Sequence, residues 1–101
     1  ARYPFAPGMW AGRYYLGLTQ LADCHFAHAA FHLISASQIL GKKKELSQAE
    51  KTQKAGVDEQ LGLALFSLGK LAKSEDEKER WLNLAAETVL AADELSPGTV
   101  Q

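Results

Sequence analysis

The sequence predicts an all-α domain of four helices arranged as two antiparallel hairpins. Apolar residues recur at three- and four-residue steps in four segments, which is the period of a helix. Two Ser-x-x-Glu motifs, at Ser47 and Ser74, are typical of helix starts. No segment shows the sustained alternation of β-branched residues that indicates a strand. With 101 residues the chain suits one domain, which we expect over 9–96, between an extended arm at 1–8 and a tail at 97–101.

The first hairpin is expected over residues 9–41. Two prolines within the first eight residues set the arm apart from its first helix. Asp23 ends that helix and is expected to cap the second one. Gly41 and the lysines after it end the second helix. The positions that the helical period assigns to the core are Trp10, Tyr14, Gly17, Leu18, Leu21, Phe26, Ala29, Ala30, Leu33, Ala36, Ser37 and Leu40.

A basic connector at 42–47 leads to the second hairpin, expected over 48–96. Ser47 with Glu50, and Ser74 with the glutamate three residues later, can satisfy free backbone donors at the starts of its two helices. Three glycines in the third helix each cost about 1 kcal/mol relative to alanine, so we expect its first turns to fray. The core positions expected here are Val57, Leu61, Ala64, Leu65, Leu68, Leu71, Ala72, Trp81, Leu84, Ala85, Thr88, Val89, Ala92 and Leu95.

The composition argues against several classes of protein. Eleven basic and twelve acidic residues give a net charge of -1, so no overall field attracts nucleic acid. The one basic run, 42–44, suits the negative end of a helix dipole. Polar residues interrupt every apolar stretch before it reaches the length of a membrane span. A single cysteine gives no sign of a disulfide framework. We expect an intracellular, cytoplasmic protein that neither binds nucleic acid nor inserts into membranes.

Cys24, His25, His28 and His32 form the most suggestive chemical cluster. Thiolate and imidazole are zinc ligands, but positions i to i+8 on one helix span about 12 Å, too far for one ion. Cys24 and His28 could pair as nucleophile and base, but no third group orients them. The run from His25 to His32 also resembles nucleotidyltransferase-associated helical bundles, although Arg13 lies too far from it to complete their basic–histidine pair. We expect no metal, cofactor or catalytic residue; the alternative is a helical-bundle metal protein or enzyme using these four.

The first hairpin resembles a tetratricopeptide repeat. Its Leu-Gly pair, aromatic residue, and small and large packing residues fall at that repeat's spacings, at Leu16, Gly17, Phe26, Ala29, Leu33 and Ala36. The second hairpin fits in part, through Leu61, Gly62, Leu65 and Gly69. The first hairpin is also similar to a segment of the kinesin-binding adaptors of the KIF-binding protein family, through Trp10, Ala11, Gln20, Phe26, Ala29, Leu33, Ser35 and Ala36. Both resemblances imply a scaffold that holds a partner.

The predicted function is therefore protein–protein interaction, as a module or adaptor. In a tetratricopeptide arrangement the first helix of each hairpin lines the concave surface. That arrangement implies a partner-binding surface of Arg13, Tyr14, Leu18, Glu59, Leu63 and Phe66. The third helix is apolar on nearly all sides, so it is either central or covered by a partner. The alternative is a small structural subunit of a larger assembly, and a homo-oligomer is possible under either reading.

Overall fold

A computed structural model describes residues 9–42 and 44–96. The fold class is confirmed, because these residues form four α-helices in two hairpins: α1 (Trp10–Ala22), α2 (Phe26–Leu40), α3 (Gln48–Leu71) and α4 (Glu75–Leu95). The arm expected at 1–8 and the tail expected at 97–101 lie outside the described residues.

The four helices form an open stack in chain order. Helix α1 packs on α2, α2 on α3 and α3 on α4, while α1 meets α3 at only a few residues. Within the described part of the chain, α4 contacts α3 alone. The shortest dimension of the molecule is 22 Å, about two helix diameters. Helix α3 is therefore the central element. Helix α4 has most of its own surface exposed, because only α3 packs against it.

Serine caps begin both helices of the second hairpin, as the sequence predicted. The Glu50 amide donates to Ser47 Oγ at 3.1 Å, and the Ser47 amide donates to Glu50 Oε1 at 2.9 Å. The Glu77 amide donates to Ser74 Oγ at 3.1 Å. These bonds satisfy backbone donors that a helix start leaves without intrahelical partners.

The turn between α1 and α2 corrects the expectation that Asp23 caps α2. Asp23 is the C-cap of α1, and the N-cap of α2 is His25, which makes no side-chain capping bond. The Cys24 amide donates to the Leu21 carbonyl, and the His25 amide donates to the Gln20 carbonyl. This bonding pattern closes a helix C-terminus and needs a left-handed residue, here Cys24 with φ 61°. The turn therefore moves the start of α2 beyond the reach of Asp23.

The core lies along both sides of α3 and between α1 and α2. Leu33, Val57 and Leu65 are its largest fully buried side chains. Two predicted core positions are wrong, because Leu71 is 66% exposed and Leu84 is 42% exposed. Leu71 is the last residue of α3, and Leu84 lies on a helix with a single neighbour, so neither meets a second surface.

Glycine allows the helices of each hairpin to approach closely. A Cβ atom at Gly17 would lie 2.7 Å from Leu33 Cγ, and one at Gly62 would lie 2.6 Å from Val89 Cγ2. Real Cβ atoms do not approach other carbons so closely, so each glycine is a packing residue. These are the glycines of the two Leu-Gly pairs noted in the sequence.

Candidate functional site: a groove between α3 and α4

An apolar groove of about 610 Å³ runs along the surface between α3 and α4. Apart from one acid and one amide at one end, its lining is apolar. The lining residues are Glu59, Gln60, Gly62, Leu63, Phe66, Leu82, Ala85, Ala86 and Val89. Their three- and four-residue spacing on each helix places them along one stripe of α3 and one stripe of α4.

Two large apolar side chains of α3 lie on the groove and remain accessible to water. Leu63 is 50% exposed and Phe66 is 46% exposed. Lys70 lies one turn after Phe66, with its Nζ 5.6 Å from the centre of the Phe66 ring, within the range of a cation–π contact. The alanines opposite, at 85 and 86, add little bulk. On the α4 wall these small residues lie between the larger side chains of Leu82 and Val89.

Tyr14 on α1 is within electrostatic range of Glu59 on α3. Burial, together with the negative charge of Glu59, raises the pKa of the Tyr14 phenol. The hydroxyl therefore stays protonated at neutral pH. Glu59 also lines the groove, so the electrostatic influence on Tyr14 comes from a groove residue.

A second carboxylate lies toward the same end of the groove. Asp93 follows Val89 by one turn, on the same side of α4, and is exposed. Because Gly62 faces Val89 and Gly69 faces Leu82, α3 and α4 are antiparallel, and Asp93 lies toward the Glu59 end. Within residues 9–42 and 44–96 neither carboxylate has a hydrogen bond or an ion pair. This end of the groove is therefore acidic.

Half of the predicted partner-binding surface comes together in this groove. Glu59, Leu63 and Phe66 line it, and Tyr14 is influenced by the charge of Glu59. Leu18 is partly buried one turn beyond Tyr14. Arg13 lies toward α2 instead, since its charge lowers the pKa of His32.

Sequence reasoning missed the α4 wall of the groove. The resemblance to a tetratricopeptide repeat implied a surface built by α1 and α3, whereas the groove lies between α3 and α4. The available signal was the pairing of a glycine in α3 with small residues in α4. Gly62 lets α4 approach α3 closely, and Ala85 and Ala86 are too small to fill the groove between the two helices.

The cysteine and histidine cluster does not assemble a metal centre. Among the described residues, no three His, Cys, Asp or Glu side chains converge to hold an ion. Cys24, His25 and His28 are exposed in and after the α1–α2 turn. His32 differs, because its Nδ1 atom is buried and has no hydrogen-bond partner in the described structure. Burial, followed by the charges of Arg13 and His28, lowers the pKa of the His32 ring.

Comparison of the chain with protein-family models, with curated proteins and with solved structures found no significant match. Of the helices in the described ranges, none has both the length and the hydropathy required to cross a bilayer.

Proposed function

We propose that this chain is a protein–protein interaction module, an adaptor-like scaffold whose α3–α4 groove binds a partner protein. The observation that carries the proposal is the exposure of Leu63 and Phe66 over an apolar groove. Grooves lined by aromatic and aliphatic side chains with a few polar groups at the edge are typical of binding sites. The proposal assigns the chain no catalytic role and places it in the cytoplasm.

The groove offers a useful amount of binding energy. Full burial of a leucine or phenylalanine side chain contributes about 1.5–3 kcal/mol. Leu63 and Phe66 are about half exposed, so covering both contributes about 2 kcal/mol. The apolar wall of α4 adds to this, because a partner that covers one wall also covers the other. Buried aromatic anchors of this kind dominate many interfaces.

The tetratricopeptide-like spacing around Gly17 and Gly62 also favours a scaffold.

A selection experiment tests the proposal. A displayed library of unconstrained peptides of about 16 residues, long enough as helices to follow the groove, is selected on the purified chain. Selected peptides are then measured against Leu63→Asp/Phe66→Asp and against Phe31→Asp/Ile34→Asp, a control pair on the exposed side of α2. Circular dichroism confirms that both variants fold. We expect the groove variant to bind at least about tenfold more weakly and the control to bind like wild type. Unchanged binding by the groove variant would overturn the proposal.

A structural subunit is the second candidate, and a separate observation favours it. Apolar side chains are exposed away from the groove as well, with Phe31 61% exposed on α2 and Leu90 64% exposed on α4. A subunit held in an assembly needs several such surfaces. Light scattering and circular dichroism over a concentration series separate the candidates. A monomer with a sharp, concentration-independent transition favours the module, whereas concentration-dependent association or molten behaviour favours the subunit.

A further inference from the structure

We infer that the groove takes an amphipathic α-helix of the partner, with lysine or arginine at the end that lies over Glu59 and Asp93. This inference rests on the proposed function and adds the chemistry of the ligand. It follows from the shape of the groove, from its backbone chemistry and from the uneven charge along it.

The walls of the groove favour a helix over an extended segment. Both walls are α-helices, whose backbone groups are already paired within each helix. An extended peptide would find no backbone partners there and would leave its own donors and acceptors unsatisfied. A helix satisfies its backbone internally and contributes only side chains. From Glu59 to Lys70 the wall is about 16 Å long, so three turns with apolar residues at i, i+3 or i+4, and i+7 would cover it.

The charges at the two ends of the groove differ. Lys70 on α3 and Glu79 on α4 carry opposite charges at one end. At the other end Glu59 and Asp93 are both acidic and unpaired among the described residues. From residue 81 to residue 95 α4 has no lysine or arginine, and its last turn carries the negative end of the helix dipole. A cationic side chain placed there lies near two carboxylates, which gives the bound helix one preferred direction.

Space is available at the acidic end for a long cationic side chain. A Cβ atom built on Gly56, one turn before Gln60, would meet no other atom within 4 Å. The long apolar stems of lysine and arginine can lie on the groove while their charged groups extend toward the carboxylates.

The charge-swapped variant Glu59→Lys/Asp93→Lys tests the inference. Peptides selected on the wild-type chain are expected to share an apolar i, i+3 or i+4, i+7 stripe with lysine or arginine at one end. Against the charge-swapped variant these peptides should bind about three- to tenfold more weakly, in line with two exposed charge pairs. Replacing their terminal lysine or arginine with glutamate should restore binding to that variant. The difference should shrink between about 0.05 and 0.5 M salt.

The outcomes separate this inference from the function on which it rests. If no selected peptide depends on Leu63 and Phe66, the proposed function fails and the inference fails with it. If binding depends on Leu63 and Phe66 but the peptides are acidic, neutral or not helical, or the charge swap has no effect, the inference alone is overturned. Weaker binding of the selected peptides to the charge-swapped variant, together with restored binding of the glutamate-substituted peptide, supports both.

Discussion

Lys54 Nζ lies 3.0 Å from Asp58 Oδ2 and also donates to Ser37 Oγ on α2 at 2.8 Å. The Asp58 side chain is 5% exposed and the Lys54 side chain is 21% exposed. A buried carboxylate without a partner is costly, and here it is held by a cation that also bonds the neighbouring helix. The three groups therefore connect the first hairpin to the second through their polar atoms.

Removing the lysine should destabilise the fold more than neutralising the aspartate. Lys54→Met leaves Asp58 buried and unpaired, and we expect a loss of about 3 kcal/mol in the free energy of unfolding. In Asp58→Asn, Lys54 still donates to Ser37 and is partly accessible to water. We therefore expect a loss of only about 1 kcal/mol in the free energy of unfolding. Urea denaturation measures both. Lys51→Met, on the same helix, is the control and should stay within about 0.5 kcal/mol of wild type. Equal losses for the two variants would contradict this description.

Two glycines of α3 should respond in opposite directions to alanine. At Gly62 the new Cβ would lie 2.6 Å from Val89 Cγ2, and overpacking of this kind costs about 1–3 kcal/mol. At Gly56 nothing lies within 4 Å, so Gly56→Ala should gain about 1 kcal/mol from helix propensity. Thermal unfolding should show a lower Tm for Gly62→Ala and a higher Tm for Gly56→Ala. A higher Tm for both would show that α3 and α4 lie further apart than described.

Relieving the left-handed conformation of Cys24 should stabilise the chain. An L-residue with a Cβ atom loses roughly 1–2 kcal/mol in that conformation, whereas glycine adopts it freely. We expect Cys24→Gly to raise the free energy of unfolding by about 1 kcal/mol, net of the flexibility that glycine adds to the unfolded chain. Cys24→Ala keeps the Cβ atom and should differ little from wild type. A gain for alanine equal to that for glycine would mean that the thiol, and not the backbone, is responsible.

Acidification should weaken the first hairpin through His32. Burial, Arg13 and His28 lower the pKa of this ring in the folded chain, so the unfolded chain takes up the proton more readily. Well above pH 6.5, the pKa of His32 in the unfolded chain, the ring is neutral in both states and this effect is absent. As the pH falls below 6.5 toward the folded pKa, the unfolded chain binds the proton first, so the free energy of unfolding decreases. Between neutral pH and about pH 5, wild type should therefore lose more stability than His32→Gln. Identical pH profiles for wild type and His32→Gln would refute this role.

Much of the fold could be predicted because local signals agree with the packing. The serine caps at Ser47 and Ser74 bind the amides that the sequence motif specifies, and the Leu-Gly pairs mark the close contacts at Gly17 and Gly62. Periodicity fails where a helix has only one neighbour. Leu84 fits the apolar stripe of α4, yet it is exposed because α4 packs on α3 alone.

The candidate site was harder to predict because it depends on which helices are adjacent. Leu63 and Phe66 are conspicuous in the sequence, but their spacing cannot show that α4, and not α1, forms the opposite wall. The polar contact between α2 and α3 was also missed, because Ser37, which accepts a hydrogen bond from Lys54, is 17 positions away along the chain and on another helix. Long-range contacts of this kind leave no periodic signal.

The most direct test of the central claim, that the α3–α4 groove is the binding surface, is to map by NMR a peptide selected on the whole wild-type chain, using the isotope-labelled chain. We expect the largest chemical-shift changes at Glu59, Leu63, Phe66, Ala86 and Val89, with no change along the exposed side of α2. Shifts concentrated at Phe31 and Ile34 on α2, with the groove residues unmoved, would contradict it.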